Sequence, residues 1–144
     1  MKNIFLVLFL SLALTGCINS ATARLTPGTN LGIVKSFCVL QEVNGNEEIQ
    51  KLITSNLKKR GYSAISGYSL PQQHNIDLLV TYTDKWTWDI TPYLLELTIN
   101  FRDPKNSFPV AIGNSVHTSL SRLSPEEMVD EVLTNIFNSK PIGN

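Results

Sequence analysis

Apolar residues recur at two different periods along this 144-residue chain, and the changes of period mark its elements. From Gly32 to Val43 the run Ile33, Val34, Phe37, Val39 and Leu40 predicts a largely buried strand, broken by Asn44-Gly45-Asn46. Asn46 then suits a helix N-cap, Glu47 and Glu48 complement the positive end of a helix, and Ile49, Leu52, Ile53 and Leu57 form one apolar stripe. Lys58-Lys59-Arg60 before Gly61 predicts its end, and the helix dipole accounts for that basic cluster. Tyr62 to Ile65 predicts a short strand, which after a helical crossover should lie parallel to the first.

Beyond a polar loop containing Pro71, the pattern changes to alternation. Leu78 to Trp88 and Tyr93 to Phe101 predict a hairpin around the four-residue connection Asp89-Ile90-Thr91-Pro92. Asp103-Pro104-Lys105-Asn106 marks another turn, and Val110 to Leu120 suits a last strand. Ser124-Pro125-Glu126-Glu127 is a capping box with proline at N1, opening a helix through Val129, Val132, Leu133, Ile136 and Phe137. The order β-α-β-β-β-β-α predicts an α+β fold, a two-layer sandwich in which a mixed sheet of about five strands carries two helices on one face. Tyr93, Leu95, Leu97, Ile99 and Phe101 should face those helices, leaving Glu96, Thr98, Asn100 and Arg102 on an open sheet surface.

The third strand carries the candidate chemistry. Tyr82, Asp84, Trp86 and Trp88 share one face at period two, and pairing of Trp88 with Tyr93 would set Trp86 against Leu95 and Asp84 against Leu97 on the core side. A carboxylate there needs a donor: an indole N–H, the Tyr82 hydroxyl or a lysine. The simplest expectation is an aromatic core corner. The other is a bulge that turns the tip outward, making Trp86, Trp88 and Tyr93 a binding platform beside Tyr82 and Asp84.

The first residues follow neither period. Lys2 precedes an apolar run from Ile4 to Leu14 broken only by Ser11, and Thr15-Gly16-Cys17 follows, the layout of a secretory signal peptide. The run is short of the about 20 residues a spanning helix needs. An ordinary signal peptide cleaved nearby would make Cys17 merely a small residue at the site. Leu14-Thr15-Gly16-Cys17 nevertheless resembles the cleavage box of bacterial lipoproteins, and that resemblance implies diacylglyceryl transfer to the Cys17 thiol, removal of residues 1–16 and acylation of the new amino terminus. At about 0.8 kcal/mol per buried methylene, two or three chains hold a domain on a membrane essentially permanently. In enteric-type lipoproteins an aspartate after the cysteine signals inner-membrane retention; Ile18 here implies the outer membrane.

Removing 16 of the 144 residues leaves 128, the size of one domain. The expected organisation is a signal peptide over 1–16, a lipidated flexible tether over 17–30, whose residues are small and polar, and a single α+β domain over 31–144. One of the 12 basic residues leaves with the signal, so 11 face 12 acids, which argues against a nucleic-acid partner. Cys38 is the other cysteine, and its apolar neighbours suit a buried core position rather than a nucleophile. His74 and His117 are isolated, and the carboxylates show no metal-ligand spacing, so no cofactor, metal or catalytic site is expected. Ser115, His117 and Ser119 would share one strand face, which is not how a catalytic triad is arranged.

Tyr82-x-Asp84-x-Trp86-x-Trp88-Asp89-Ile90 and Tyr93-Leu94-Leu95-Glu96-Leu97, with Asp103-Pro104-Lys105 and Ser124-Pro125-Glu126-Glu127-Met128, resemble a family of small bacterial envelope lipoproteins to which no reaction is attached. In element order and size the chain is also similar to lipoproteins of the lipopolysaccharide-assembly type, a likeness of architecture alone. These resemblances imply a non-enzymatic accessory or assembly factor at the envelope, facing the periplasm and docking a protein partner. The alternative is a module that binds an envelope glycan or small molecule through the aromatic hairpin tip.

Overall fold

The structure is a computed structural model that describes residues 19–72 and 75–141, so the expected signal peptide, Cys17 and His74 lie outside the described residues. Helix α1 (Glu47–Lys59) starts where Asn46 Oδ1 accepts the Glu48 backbone N–H at 2.8 Å, and it stops at Gly61, whose φ of +92° suits a residue without a Cβ. Helix α2 (Pro125–Asn138) opens on the expected capping box: Ser124 Oγ accepts from Glu127 N, and Glu127 Oε2 accepts from Ser124 N at 2.8 Å.

Among the described residues the strands are β1 (Ser20–Leu25), β2 (Ser36–Leu40), β3 (Ser63–Gly67), β4 (Leu78–Asp89), β5 (Thr91–Arg102) and β6 (Pro109–Val116). They form one mixed sheet in the order β1-β6-β5-β4-β2-β3. β2 runs parallel to β3 and β4, and the other pairs are antiparallel. The fold is therefore the expected α+β sandwich, with six strands rather than five. The additional strand, β1, lies within the segment expected to be a tether. Ala21, Ala23 and Leu25 alternate with Thr22 and Arg24, and they pair with Ser115, Gly113 and Ala111 along an edge of β6 that would otherwise leave its backbone groups unpaired. Side chains this small give a weak local pattern. Only the waiting edge of β6 makes the segment a strand.

Both helices lie on one face of the sheet and share one core. Ile49, Ile53 and Leu57 of α1 and Met128, Val132, Leu133 and Ile136 of α2 meet Phe37, Val80, Leu97, Ile99 and Phe101, all fully buried. Each such side chain contributes about 1.5–3 kcal/mol by burial. Gly113 lets α2 approach, because a Cβ there would sit 2.8 Å from Val132 Cγ1 and Ile136 Cγ1. Arg60, assigned from sequence to the helix dipole, also ties the helices together: it donates to Asp130 Oδ1 at 2.8 Å and Thr134 Oγ1 at 2.7 Å, with its guanidinium 5.7 Å over the Phe137 ring.

The β4–β5 hairpin departs from expectation in register. Its strands run to Asp89 and from Thr91, leaving Ile90 alone at the turn with φ +59° instead of a four-residue connection. Asp84 pairs with Leu97 as expected, but Lys85 pairs with Glu96 and Trp86 with Leu94, so Leu95 is the extra residue of a β-bulge. Past the bulge the faces exchange. Leu94, 1% exposed, enters the core where Leu95 and Tyr93 were expected, and Trp88 pairs with Pro92 rather than Tyr93. The last strand also ends earlier than expected, at Val116, before a 3-10 turn over Ser119–Ser121.

Candidate functional site

Tyr82, Asp84 and Trp86 form a connected set at the start of α1. Tyr82 is 1% exposed and donates its hydroxyl to the Asn46 carbonyl at 2.9 Å. Burial, with the Asp84 charge behind it, pushes the Tyr82 phenol up to about 12, so it remains a donor across the ordinary pH range. Asp84 Oδ1 accepts the Asn46 backbone N–H at 3.2 Å, and Asp84 Oδ2 accepts the Trp86 indole N–H at 2.7 Å. The indole is thus the donor that a core-side carboxylate required. Since the Asn46 side chain also caps the helix, one residue joins α1 to β4 through its N–H, its carbonyl and its amide oxygen. Gly45 makes this contact possible, for a Cβ there would meet the Tyr82 ring and hydroxyl at 2.9–3.0 Å.

The tryptophans themselves do not form the expected core corner. Trp86 is 37% exposed and Trp88 72% exposed, although Trp86 is paired with the buried Leu94. Tyr93 opposes Thr87 and so alternates with them instead of joining a flat platform. Trp86, Pro92, Tyr93, Arg122, Leu123 and Pro125 line a groove of about 320 Å³, with the Arg122 guanidinium 5.4 Å over the Tyr93 ring and bonded to Thr91 Oγ1 at 3.0 Å. Trp88 stands outside this groove, at the tip with Ile90. The sequence did contain a signal for the bulge: Leu94-Leu95, two adjacent apolar residues where alternation demands one, is what a bulge requires.

A second polar cluster was missed at sequence level because its carboxylate comes from α2. Ser115 Oγ donates to Glu131 Oε2 at 2.5 Å, and His117 Nε2 lies 2.8 Å from the same oxygen. His117 Nδ1 faces the Ser121 carbonyl at 3.0 Å; a carbonyl only accepts, so Nδ1 carries a proton. The serine hydroxyl therefore points at the carboxylate rather than at an imidazole base, with Ser115 fully buried and His117 7% exposed. The cluster ties β6 and the turn after it to α2. Cys38 is buried in β2, where burial pushes its thiol pKa up, away from reactivity. Among the described residues no three His, Cys, Asp or Glu side chains stand together as a metal site.

No protein-family model and no curated protein matches the chain. Among solved structures, the chain is similar to a PelC dodecamer from Paraburkholderia phytofirmans at 12% identity, with a TM-score of 0.63 over 83% of this chain and 98% of that one. A point variant of the same dodecamer aligns at 13% identity and a TM-score of 0.60, covering 82% and 96% of the two chains. A PDZ domain protein from Parabacteroides distasonis aligns at 12% identity with a TM-score of 0.48, over 85% of this chain and 36% of that one. At these identities the likeness to PelC is one of fold.

Proposed function

We propose that the chain is an envelope lipoprotein, anchored by lipid on Cys17 and facing the periplasm, and that it acts as a non-enzymatic accessory or assembly factor that docks a protein partner. The observation that carries the reading is the uncovered face of the sheet. Both helices occupy the other face, and this one presents Thr81, Glu96, Thr98, Asn100, Arg102 and Asn114. Asn114 Nδ2 donates to Glu96 Oε1 at 2.9 Å and to Thr98 Oγ1 at 2.8 Å, and Arg102 Nε donates to Thr81 Oγ1 at 3.3 Å. These bonds hold the side chains in fixed positions, which lowers the entropy lost on docking. The reversed polarity of the Ser115–Glu131–His117 cluster supports a role without catalysis.

Photo-crosslinkers placed at Thr98 and Asn100 in intact cells test the reading. A discrete adduct is expected, and its mass distinguishes a second copy of this chain, the arrangement seen in the PelC dodecamer, from a different protein. Absence of any adduct from these positions would remove the docking face. Fatty-acid labelling tests the anchor separately, because Cys17→Ala should abolish the label; label that persists on Cys17→Ala would show that the thiol is not the site.

A second reading is favoured by the groove under Trp86, where an aromatic wall, a proline and the Arg122 cation suit an envelope glycan or small molecule. Saturable change in Trp86 fluorescence on adding envelope oligosaccharide, without any protein partner, is its sign.

A further inference from the structure

Asn19, where the described chain begins, and the hairpin tip lie at the same end of the molecule. β1 begins at Ser20, level with Val116 of β6 and, through it, with Glu96 of β5. From that level the hairpin continues past the last β5–β6 pair: Thr91 to Leu95 precede Glu96, a projection of roughly 16 Å at the rise of an extended strand. Asn19 is bonded to Ser121, and Ser119 of the same 3-10 turn is bonded to Asp89 at the tip. Two residue steps, through Ile18, take the chain from Asn19 to Cys17, a span of at most about 7 Å. A lipid on Cys17 would consequently bring a membrane surface to the 3-10 turn and the hairpin, with little chain between them.

The side chains presented there suit such a surface. Both tryptophans of the chain are in the hairpin, and Trp88, Ile90 and Leu120 are 72%, 86% and 87% exposed. Ile90 is unusual on two counts: it is apolar and open to solvent, and it is β-branched in a left-handed conformation, φ +59°. Either asparagine or glycine would relieve the backbone cost. A residue that is unfavourable both in water and in its own backbone points to an apolar occupant of the space around it. Tryptophan favours the boundary between headgroups and acyl chains, and exposed Lys85 on the same strand can extend toward headgroup phosphates. Asp89, the acidic residue of the tip, is bonded to Ser119.

We infer that Trp88, Ile90 and Leu120 form a membrane seat, inserting into the interface of the bilayer that carries the Cys17 lipid and holding the domain upright on it. The inference rests on the lipid anchor proposed above. With the hairpin and the anchor both fixed at the bilayer, the sheet stands on one end and its open face looks sideways, parallel to the membrane, where a partner can reach it.

Trp86→Phe leaves Trp88 as the sole tryptophan, so its emission reports the tip directly. The full-length chain, purified from membranes and weighed for acyl chains on Cys17, is reconstituted in vesicles of phosphatidylethanolamine and phosphatidylglycerol with a rising share of acyl-brominated phosphatidylcholine. The expected result is a shift of Trp88 emission to shorter wavelength and its progressive loss as the brominated share rises. Ile90→Asp should weaken both effects while the acyl mass stays. Emission indifferent to bromine on an acylated chain overturns the seat, leaves the anchor standing and returns the tip to a glycan or protein partner. An unmodified Cys17 overturns the anchor instead; the same chain is then added to the vesicles from solution, where bromine quenching upholds the seat and unquenched emission overturns it. If Trp86→Phe fails to fold, the unmodified chain gives the same reading through both tryptophans.

Discussion

Tyr82 shows how much one hydroxyl can organise. Its ring is part of the core, and its oxygen meets the carbonyl of the residue that caps α1. Tyr82→Phe keeps the ring and removes the bond, so it should cost about 1 kcal/mol of stability, read as a lower midpoint in urea. Ile90 should respond in the opposite direction. Ile90→Asn places a residue that tolerates φ +59° at the turn, and it should raise the melting temperature by relieving about 1 kcal/mol of backbone cost. No change, or a loss, would mean that the turn is not strained. The two tryptophans divide along the same line, since Trp86 is engaged with Asp84 while Trp88 is largely open.

At the scale of elements, the placement of α2 depends on a residue that has no side chain. Gly113 of β6 lies beneath Val132 and Ile136, and a methyl group there would sit 2.8 Å from each. Gly113→Ala must push the helix off the sheet or force its side chains from their rotamers, a cost of about 1–3 kcal/mol that thermal unfolding will measure. Val132→Ala in the same chain should recover part of the loss by making room, although it creates a deficit of its own when introduced alone. The bulge at Leu95 acts on the hairpin in a comparable way: one extra residue in β5 exchanges which of its side chains enter the core, so that Leu94 is buried in place of Leu95 and Tyr93.

Acid sensitivity belongs to the whole molecule, because carboxylates join elements distant in sequence. Asp77 Oδ2 accepts the Lys35 and Ser36 backbone N–H groups at 2.8 and 3.0 Å, and these bonds, the Lys35 one foremost, hold its pKa below the usual 3.8. Asp130 is likewise held below its usual value, first by the Asn56 amide and then by Arg60. A lowered folded-state pKa means that the stabilisation is complete above the unfolded value and disappears as pH falls through the folded one. The urea midpoint should therefore be flat from neutral pH to about pH 5 and decline below pH 4, with a shallower decline in Asp77→Asn. An unchanged slope in that variant would show that its ionisation is not linked to folding. The same molecule-wide view relates anchor, hairpin and sheet, since β1 carries the chain from Asn19 along the edge of the sheet with few residues to spare.

Both helices and the alternating strands were legible in the chain because their causes are local. Asn46 and Ser124 cap, Gly61 terminates, Pro125 starts, and stripes of Ile, Leu and Val select a face, each acting over a few neighbouring residues. The parallel pairing of β2 with β3 was legible for the related reason that a helical crossover leaves little choice of direction. What lay beyond the sequence has its cause across space. β1 is a strand because an unpaired edge of β6 accepts it, Arg60 reaches a carboxylate on another helix, and Glu131 meets Ser115 and His117 only when α2 covers β6. The hairpin lies between these cases. Its two strands follow from alternation alone, but the fate of Trp86 and Trp88 depended on how far the helices extend over the sheet and on which of Leu94 and Leu95 the core could admit, and packing in three dimensions decided both.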